Sequence, residues 1–167
     1  MRSAGIANAL FTSRSSRPCS AYVATVLAAR TMVAAGKGLV VNVSSSGAVE
    51  ARWHVVYGVG KAALDRITAD TALELRPHGV AVVSVWPGLV LTERTERARK
   101  SLPQLDFAHA ESQRFTGRAV VALASDPDVL RYNGRAVSSH DLARAYGFRD
   151  VDGRLPAGPI HVPPPMK

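Results

Sequence analysis

The chain has 167 residues, of which 47% are hydrophobic and 20% charged, with a formal net charge of +8 and one cysteine. That is one domain's length with an ordinary globular composition, which excludes disordered and fibrous classes. Cys19 alone excludes an intramolecular disulfide, and no uninterrupted apolar run reaches the roughly 18 residues of a membrane span.

Met1 to Pro18 is rich in Ser and Arg, and the first acidic residue of the whole chain is Glu50. This stretch reads as a disordered leader, either a replaced start or, as the alternative, a mitochondrial transit peptide, which has a similar composition. Cytoplasm is the default compartment. Ser20 to Ala35 carries Val23, Val26, Leu27, Val33 and Ala34 at helical spacing and ends at Gly36, so it predicts a helix. Leu39 to Val43 is a β-branched run that predicts a buried parallel strand, followed by Ser44-Ser45-Ser46-Gly47. Val55 to Arg76 is the strongest helix, with Leu64, Ile67, Thr68, Thr71, Ala72 and Leu75 on one face and Pro77-His78-Gly79 as its stop.

Val80 to Trp86 predicts a second buried strand, cut off by Pro87-Gly88. Glu93 to Lys100 predicts an exposed helix and Gln113 to Ser125 another, ended by Asp126-Pro127. Arg135 to Ser138 predicts a short third strand after the Asn133-Gly134 turn, and Gly153 to Lys167 is a Pro/Gly-rich irregular tail. Helices alternating with strands predict an α/β fold with a parallel sheet, whose ligands bind outside the carboxyl ends of the strands.

The chemistry-bearing residues cluster at those strand ends. Tyr57 and Lys61 are four apart and share a helical face. A phenol with a pKa of about 10 is a poor acid–base group at neutral pH, and an ammonium beside it favours the phenolate. A hydroxyl from Ser45 or Ser44 could complete the site by bonding a substrate oxygen. Gly58-Val59-Gly60-Lys61-Ala62-Ala63 also fits G-x-G-x-x-A, but the strand that follows ends in Trp86-Pro87-Gly88 rather than in an acid, so it is not a dinucleotide fingerprint. The five histidines show no metal-ligand spacing, and Asp65 and Glu74 read as surface charges. The basic residues are scattered singly (Arg66, Arg76, Arg118, Arg131, Arg144) without interleaved aromatics, which argues against a nucleic-acid partner.

Val41-Asn42-Val43-Ser44-Ser45, Tyr57-Gly58-Val59-Gly60-Lys61 and Trp86-Pro87-Gly88-Leu89-Val90-Leu91-Thr92 together resemble the second half of the short-chain dehydrogenase/reductase family. Leu142-Ala143-Arg144 and the stretch from Tyr146 to Arg154 are similar to one branch of that family and its bacterial relatives. The resemblance implies a partial Rossmann-like, doubly wound parallel sheet: its last three strands and their flanking helices. It implies a domain part over 19–154, between a leader at 1–18 and an irregular tail at 155–167. It implies NAD or NADP as cofactor and a small carbonyl or alcohol as substrate. Tyr57 would be the general acid/base, and Lys61 would assist it and hold the nicotinamide ribose. Ser45 would orient the substrate oxygen, on this branch's spacing; much of the wider family counts to Ser44. Pro87, Gly88, Val90 and Thr92 would line the nicotinamide end, and the Arg-rich segment after Thr92 matches the variable substrate lid.

The family's glycine-rich turn, Thr-Gly-x-x-x-Gly-x-Gly, has no counterpart before Ser20. Its Asn-Asn-Ala-Gly strand and ribose selector are also missing, and the catalytic helix Asn would fall near Ser15 or Ser16. The expectation is a truncated domain, from an incomplete gene model or an alternative start, with negligible dehydrogenase activity by itself. The competing expectation is a non-catalytic interaction module, or a homo-oligomer, that uses the two long helices.

Overall fold

The computed structural model describes residues 18–101, 103 and 105–158. Of the leader expected over 1–18 and the tail expected over 155–167, residues 1–17 and 159–167 lie outside the described residues, and Pro18 begins a helix instead.

Helix α1 spans Pro18–Ala35, and proline suits a helix's first turn because its missing N–H is no loss there. Gly36, with φ of +65°, closes it. Gly36 N donates to Val33 O and Lys37 N to Met32 O, the paired bonds of a Schellman stop. Strand β1 (Gly38–Val43) follows, then helix α2 (Val55–Leu75) and strand β2 (Val80–Trp86). β1 and β2 are parallel in register from Gly38↔Val80 to Val43↔Val85. The third strand, β5 (Ala136–Ser138), pairs with the other side of β2, giving the sheet order β1-β2-β5.

β2 is the centre of the molecule, with every residue from Val80 to Val85 buried. Its side chains alternate between two layers, as a strand's must. Val80 and Val82 pack with Ala72 and Leu75 of α2 and with Ala29, Met32 and Val33 of α1. Val83 and Val85 pack with Ala119 and Leu123 of α4 (Gln113–Ala124) and with Leu142 of α5 (Ser139–Tyr146). Helices on both faces of a parallel sheet are the expected α/β arrangement.

Three features depart from the expectations. Val90–Leu91 (β3) and Glu111–Ser112 (β4) form a second, two-stranded parallel sheet, too short to show a period. Helix α5 was not expected either, although Ser138 caps it by accepting from Asp141 N, a Ser-x-x-Asp start visible in the sequence. Finally, α1 is long and apolar enough, by length and composition only, to cross a membrane, contrary to the expectation that no segment is. Thr25, Arg30 and Thr31 break its apolar runs but leave its average apolar. In this structure its inner side packs on α2 and β1 through Ala29, Met32 and Val33. The exposed helix after Thr92 is α3 (Glu93–Ala98), and its last turn tightens to a 3-10 helix over Arg99–Ser101.

Candidate active site

The site grows from the carboxyl end of β1. Ser44 N still bonds Val85 O at 2.9 Å, and the chain then turns into a short 3-10 helix, Ser46–Ala48. The two candidate serines have different surroundings. Ser44 is buried and its hydroxyl donates to Lys61 O at 3.2 Å, tying strand end to helix. Ser45 is half-buried, caps the 3-10 helix by accepting from Gly47 N at 3.1 Å, and lines a cavity.

His54 Nδ1 accepts from Tyr57 N at 3.1 Å and so caps α2. That fixes Tyr57 in the first turn, with its ring against Gly47; a Cβ on Gly47 would lie 2.7 Å from Tyr57 Cε1. Only glycine leaves room for the ring there. One turn on, Lys61 Nζ sits 5.8 Å from the Tyr57 ring centroid and donates to Val43 O at 3.1 Å. Desolvation holds the Lys61 ammonium below its ordinary pKa, and the nearby Asp65 carboxylate opposes this.

The opposite wall follows β2. Gly88 N donates to Glu111 Oε2 at 3.0 Å. Outside the loop, a Cβ on Gly88 would lie 3.1 Å from Ala157 O, so the start of the expected irregular tail packs against this wall. Thr92 caps α3, and its hydroxyl is shared with Thr95. Ser45, Tyr57, Pro87, Gly88, Val90 and Thr92 all line one cavity of about 440 Å³. Lys61 is not among the lining residues and approaches Tyr57 from the strand side.

Residues 18–103 match the family model described as short chain dehydrogenase. The chain belongs to the short-chain dehydrogenase family. It is 50% identical over 143 residues to dehydrogenase/reductase SDR family member 1 of Mus musculus, a match covering 80% of this chain and 46% of the relative. The chain thus spans about half the length of the curated relatives it matches. Among solved structures it resembles a short-chain type dehydrogenase/reductase from Mycobacterium ulcerans, with a TM-score of 0.60, 28% identity, and coverage of 68% of this chain and 44% of that one. It also resembles acetoin dehydrogenase from Enterobacter cloacae, with a TM-score of 0.57, 28% identity, and coverage of 71% and 49%. The α/β fold with small parallel sheets matches part of the family's Rossmann fold.

Three residues of the candidate site escaped the sequence reading. Asp65 is not a surface charge: it accepts from Ser84 Oγ at 2.6 Å and from Trp86 Nε1 at 3.0 Å, which pins α2 to the end of β2. It faces β2 because it lies one turn after Lys61, and that spacing was the available signal. Glu111 is 1% exposed and accepts from Thr116 Oγ1 and Ser139 Oγ as well as from Gly88 N. A lone Glu outside every periodic stretch of the sequence carries no pattern that would announce this. The third is Arg52, which lines the cavity.

Proposed function

We propose that this chain carries the acid–base part of an NAD(P)-dependent short-chain oxidoreductase that interconverts a carbonyl and an alcohol. One observation carries the reading: Ser45 and Tyr57 face a single cavity with the Pro87–Val90 wall, with the Lys61 ammonium beside the phenol ring. Tyr57 holds at its phenol oxygen the proton that passes to the substrate oxygen on reduction and returns on oxidation. The Lys61 ammonium favours the phenolate between those steps. Ser45 donates a hydrogen bond that orients the substrate oxygen. Ser44 is the poorer candidate, because its hydroxyl is engaged with Lys61 O.

The cavity also fits the nicotinamide end of the cofactor. It offers a narrow apolar wall at Pro87, Gly88 and Val90, backed by packed chain, with the Thr92 and Tyr57 hydroxyls along it. NAD or NADP, when bound, supplies or takes the hydride. On this reading the adenine and pyrophosphate contacts fall to the family's Thr-Gly-x-x-x-Gly-x-Gly turn, which has no counterpart in these 167 residues, so they alone should bind cofactor weakly and turn over negligibly. The likeness to acetoin dehydrogenase from Enterobacter cloacae supports the oxidoreductase reading.

The test is a chimera that places residues 18–158 behind the first half of the mouse relative. Turnover of a carbonyl panel with NADH or NADPH is expected, lost by at least about 100-fold in Tyr57→Phe, as removal of a general acid predicts. A folded chimera that binds cofactor and reduces nothing would overturn the proposal. In the 167-residue chain, a cofactor titration followed by the unfolding midpoint should show no saturable micromolar shift.

A second reading has its own observation. Tyr22, Val23, Val26 and Leu27 stand exposed on α1, and Leu73 on α2, an apolar surface suited to contact with another chain. On this reading the chain is a non-catalytic interaction module or a self-associating subunit, and sedimentation across concentrations checks it.

A further inference from the structure

Two acidic residues are buried among the described residues, Glu111 at 1% and Asp150 at 4% exposure. Asp150 holds the chain just before α4, accepting from Ser112 N and Ser112 Oγ as well as from Val151 N. Glu111 reaches further. Its Oε2 accepts from Gly88 N at 3.0 Å and from Ser139 Oγ at 2.7 Å, and its Oε1 accepts from Thr116 Oγ1 at 2.6 Å. One carboxyl group thus joins the cavity wall to α4 and to α5. It is not itself among the residues that line the cavity.

All three partners are neutral, so no cation repays the burial of a carboxyl group there. A leucine of similar size would fill the space without that cost. What a leucine cannot do is accept the Gly88 N–H. The backbone of residue 111 makes its own bond to the same wall, Glu111 N donating to Leu89 O at 2.8 Å beside the β3–β4 pairing. That bond needs no particular side chain, and the Gly88 bond does. Fixing the Gly88 N–H also fixes the Pro87 carbonyl, because the peptide plane turns as one unit. Pro87 and Gly88 both line the cavity of Ser45 and Tyr57.

We propose that Glu111 is a positioning residue for this site. Its carboxyl group holds the Gly88 peptide, and with it the wall over 87–90 against which the nicotinamide end would lie. This rests on the oxidoreductase reading above and adds a residue that acts through Gly88 without touching substrate or cofactor.

The test uses the ¹⁵N-labelled 167-residue chain, three variants (Glu111→Leu, Glu111→Asp and Glu111→Gln) and two measurements. The first needs no ligand: solvent exchange of the Gly88 amide, taken relative to Val83 in the closed core. Glu111→Leu has no acceptor and Glu111→Asp lacks the reach, so both should speed Gly88 exchange at least about tenfold, the scale of one hydrogen bond. Glu111→Gln keeps the acceptor and should stay within about threefold of the parent on that scale. Glu111→Asp covers the case where Glu111→Leu fails to fold. The second measurement is a titration with nicotinamide mononucleotide, the half of the cofactor without adenine, read at the Gly88, Val90 and Thr92 amides. Its weak binding to the parent should fall at least about threefold further in Glu111→Leu and Glu111→Asp, as loss of preorganisation predicts, and return in Glu111→Gln. A merely structural carboxyl group would lower unfolding stability and leave this affinity alone in the folded variants. Unchanged Gly88 exchange, or unchanged affinity, in Glu111→Leu and Glu111→Asp overturns this inference and leaves the oxidoreductase reading standing. If the mononucleotide moves none of the three amides in the parent, the oxidoreductase reading of the wall falls instead. The exchange measurement then decides Glu111 by itself: faster Gly88 exchange in Glu111→Leu and Glu111→Asp keeps it as the residue that holds the wall, and unchanged exchange removes it.

Discussion

The two faces of the sheet are built differently. On one, α4 and α5 close over Val83 and Val85, and Ala119, Leu123 and Leu142 are at most 1% exposed. On the other, α1 and α2 cover Val80 and Val82 but leave Leu27 58% and Leu73 73% exposed on their outer sides. Both faces carry similar apolar residues, so composition does not distinguish them. The difference lies on the outer sides of the helices: α4 exposes Val121, whereas α1 and α2 expose Tyr22, Val23, Val26, Leu27, Val55, Val59 and Leu73. The candidate site lies along the second face's seam, where α2 meets the ends of β1 and β2. Ser45, Tyr57 and Lys61 are therefore held by the sheet and by α2, while Gly88 is tied through Glu111 to Thr116 of α4 and Ser139 of α5.

The sharpest break of this comparison is a pair of truncations. Leu123→Ala on the closed face should cost about 2–5 kcal/mol of unfolding free energy, from lost burial and the cavity left behind. Leu27→Ser on the open face should change stability by no more than about 0.5 kcal/mol, as exposed substitutions do. Urea unfolding of both variants checks this. Equal costs would mean that something covers the open face in solution.

A smaller effect tests the seam. Gly47→Ala puts a methyl 2.7 Å from Tyr57 Cε1, so the ring or the 3-10 turn must move. Overpacking of this kind costs about 1–3 kcal/mol. The Tyr57 ring resonances should shift while those of Phe115 and Phe148, which pack together on the closed face, stay in place. Movement of both sets would mean that the seam is coupled to the closed core.

The smallest effect is a pH dependence. Lys61 is held below its ordinary pKa of 10.5, first by desolvation, so between its folded pKa and 10.5 the unfolded chain binds more protons. Stability then rises with pH through that window. Below it, the cost of burying the ammonium is present in full. Lys61→Met lacks the ionisation, so its stability relative to the parent should fall as pH rises toward 10.5. Chemical denaturation at a series of alkaline pH values measures the slope, and a parallel pair of curves would show that the ammonium is solvated.

Much of the architecture was legible because it is local. α2 and β2 were read to within one residue, since long periodic runs end at hard stops, Pro77-His78-Gly79 and Pro87-Gly88. Gly79 adopts φ of +71°, where a side chain would be strained, so that stop is a property of the residue itself. The candidate residues were legible for the same reason: Tyr57 and Lys61 share one helix face, and Ser45 and Pro87 mark two strand ends. β3 and β4 were not, because each is two residues long and the partners stand about twenty residues apart.

The sequence by itself determined the alternating elements, the parallel sheet and the text at the strand ends, since periodicity, stops and spacing are written in neighbouring residues. Only the tertiary structure decided which polar side chains are roofed over. Ser44 turns to a backbone carbonyl while Ser45 faces the cavity. Asp65 and Glu111 leave the surface to hold β2 and Gly88, and Arg52 enters the cavity wall. Burial depends on what comes to lie above a residue, and that is supplied by parts of the chain far away in sequence.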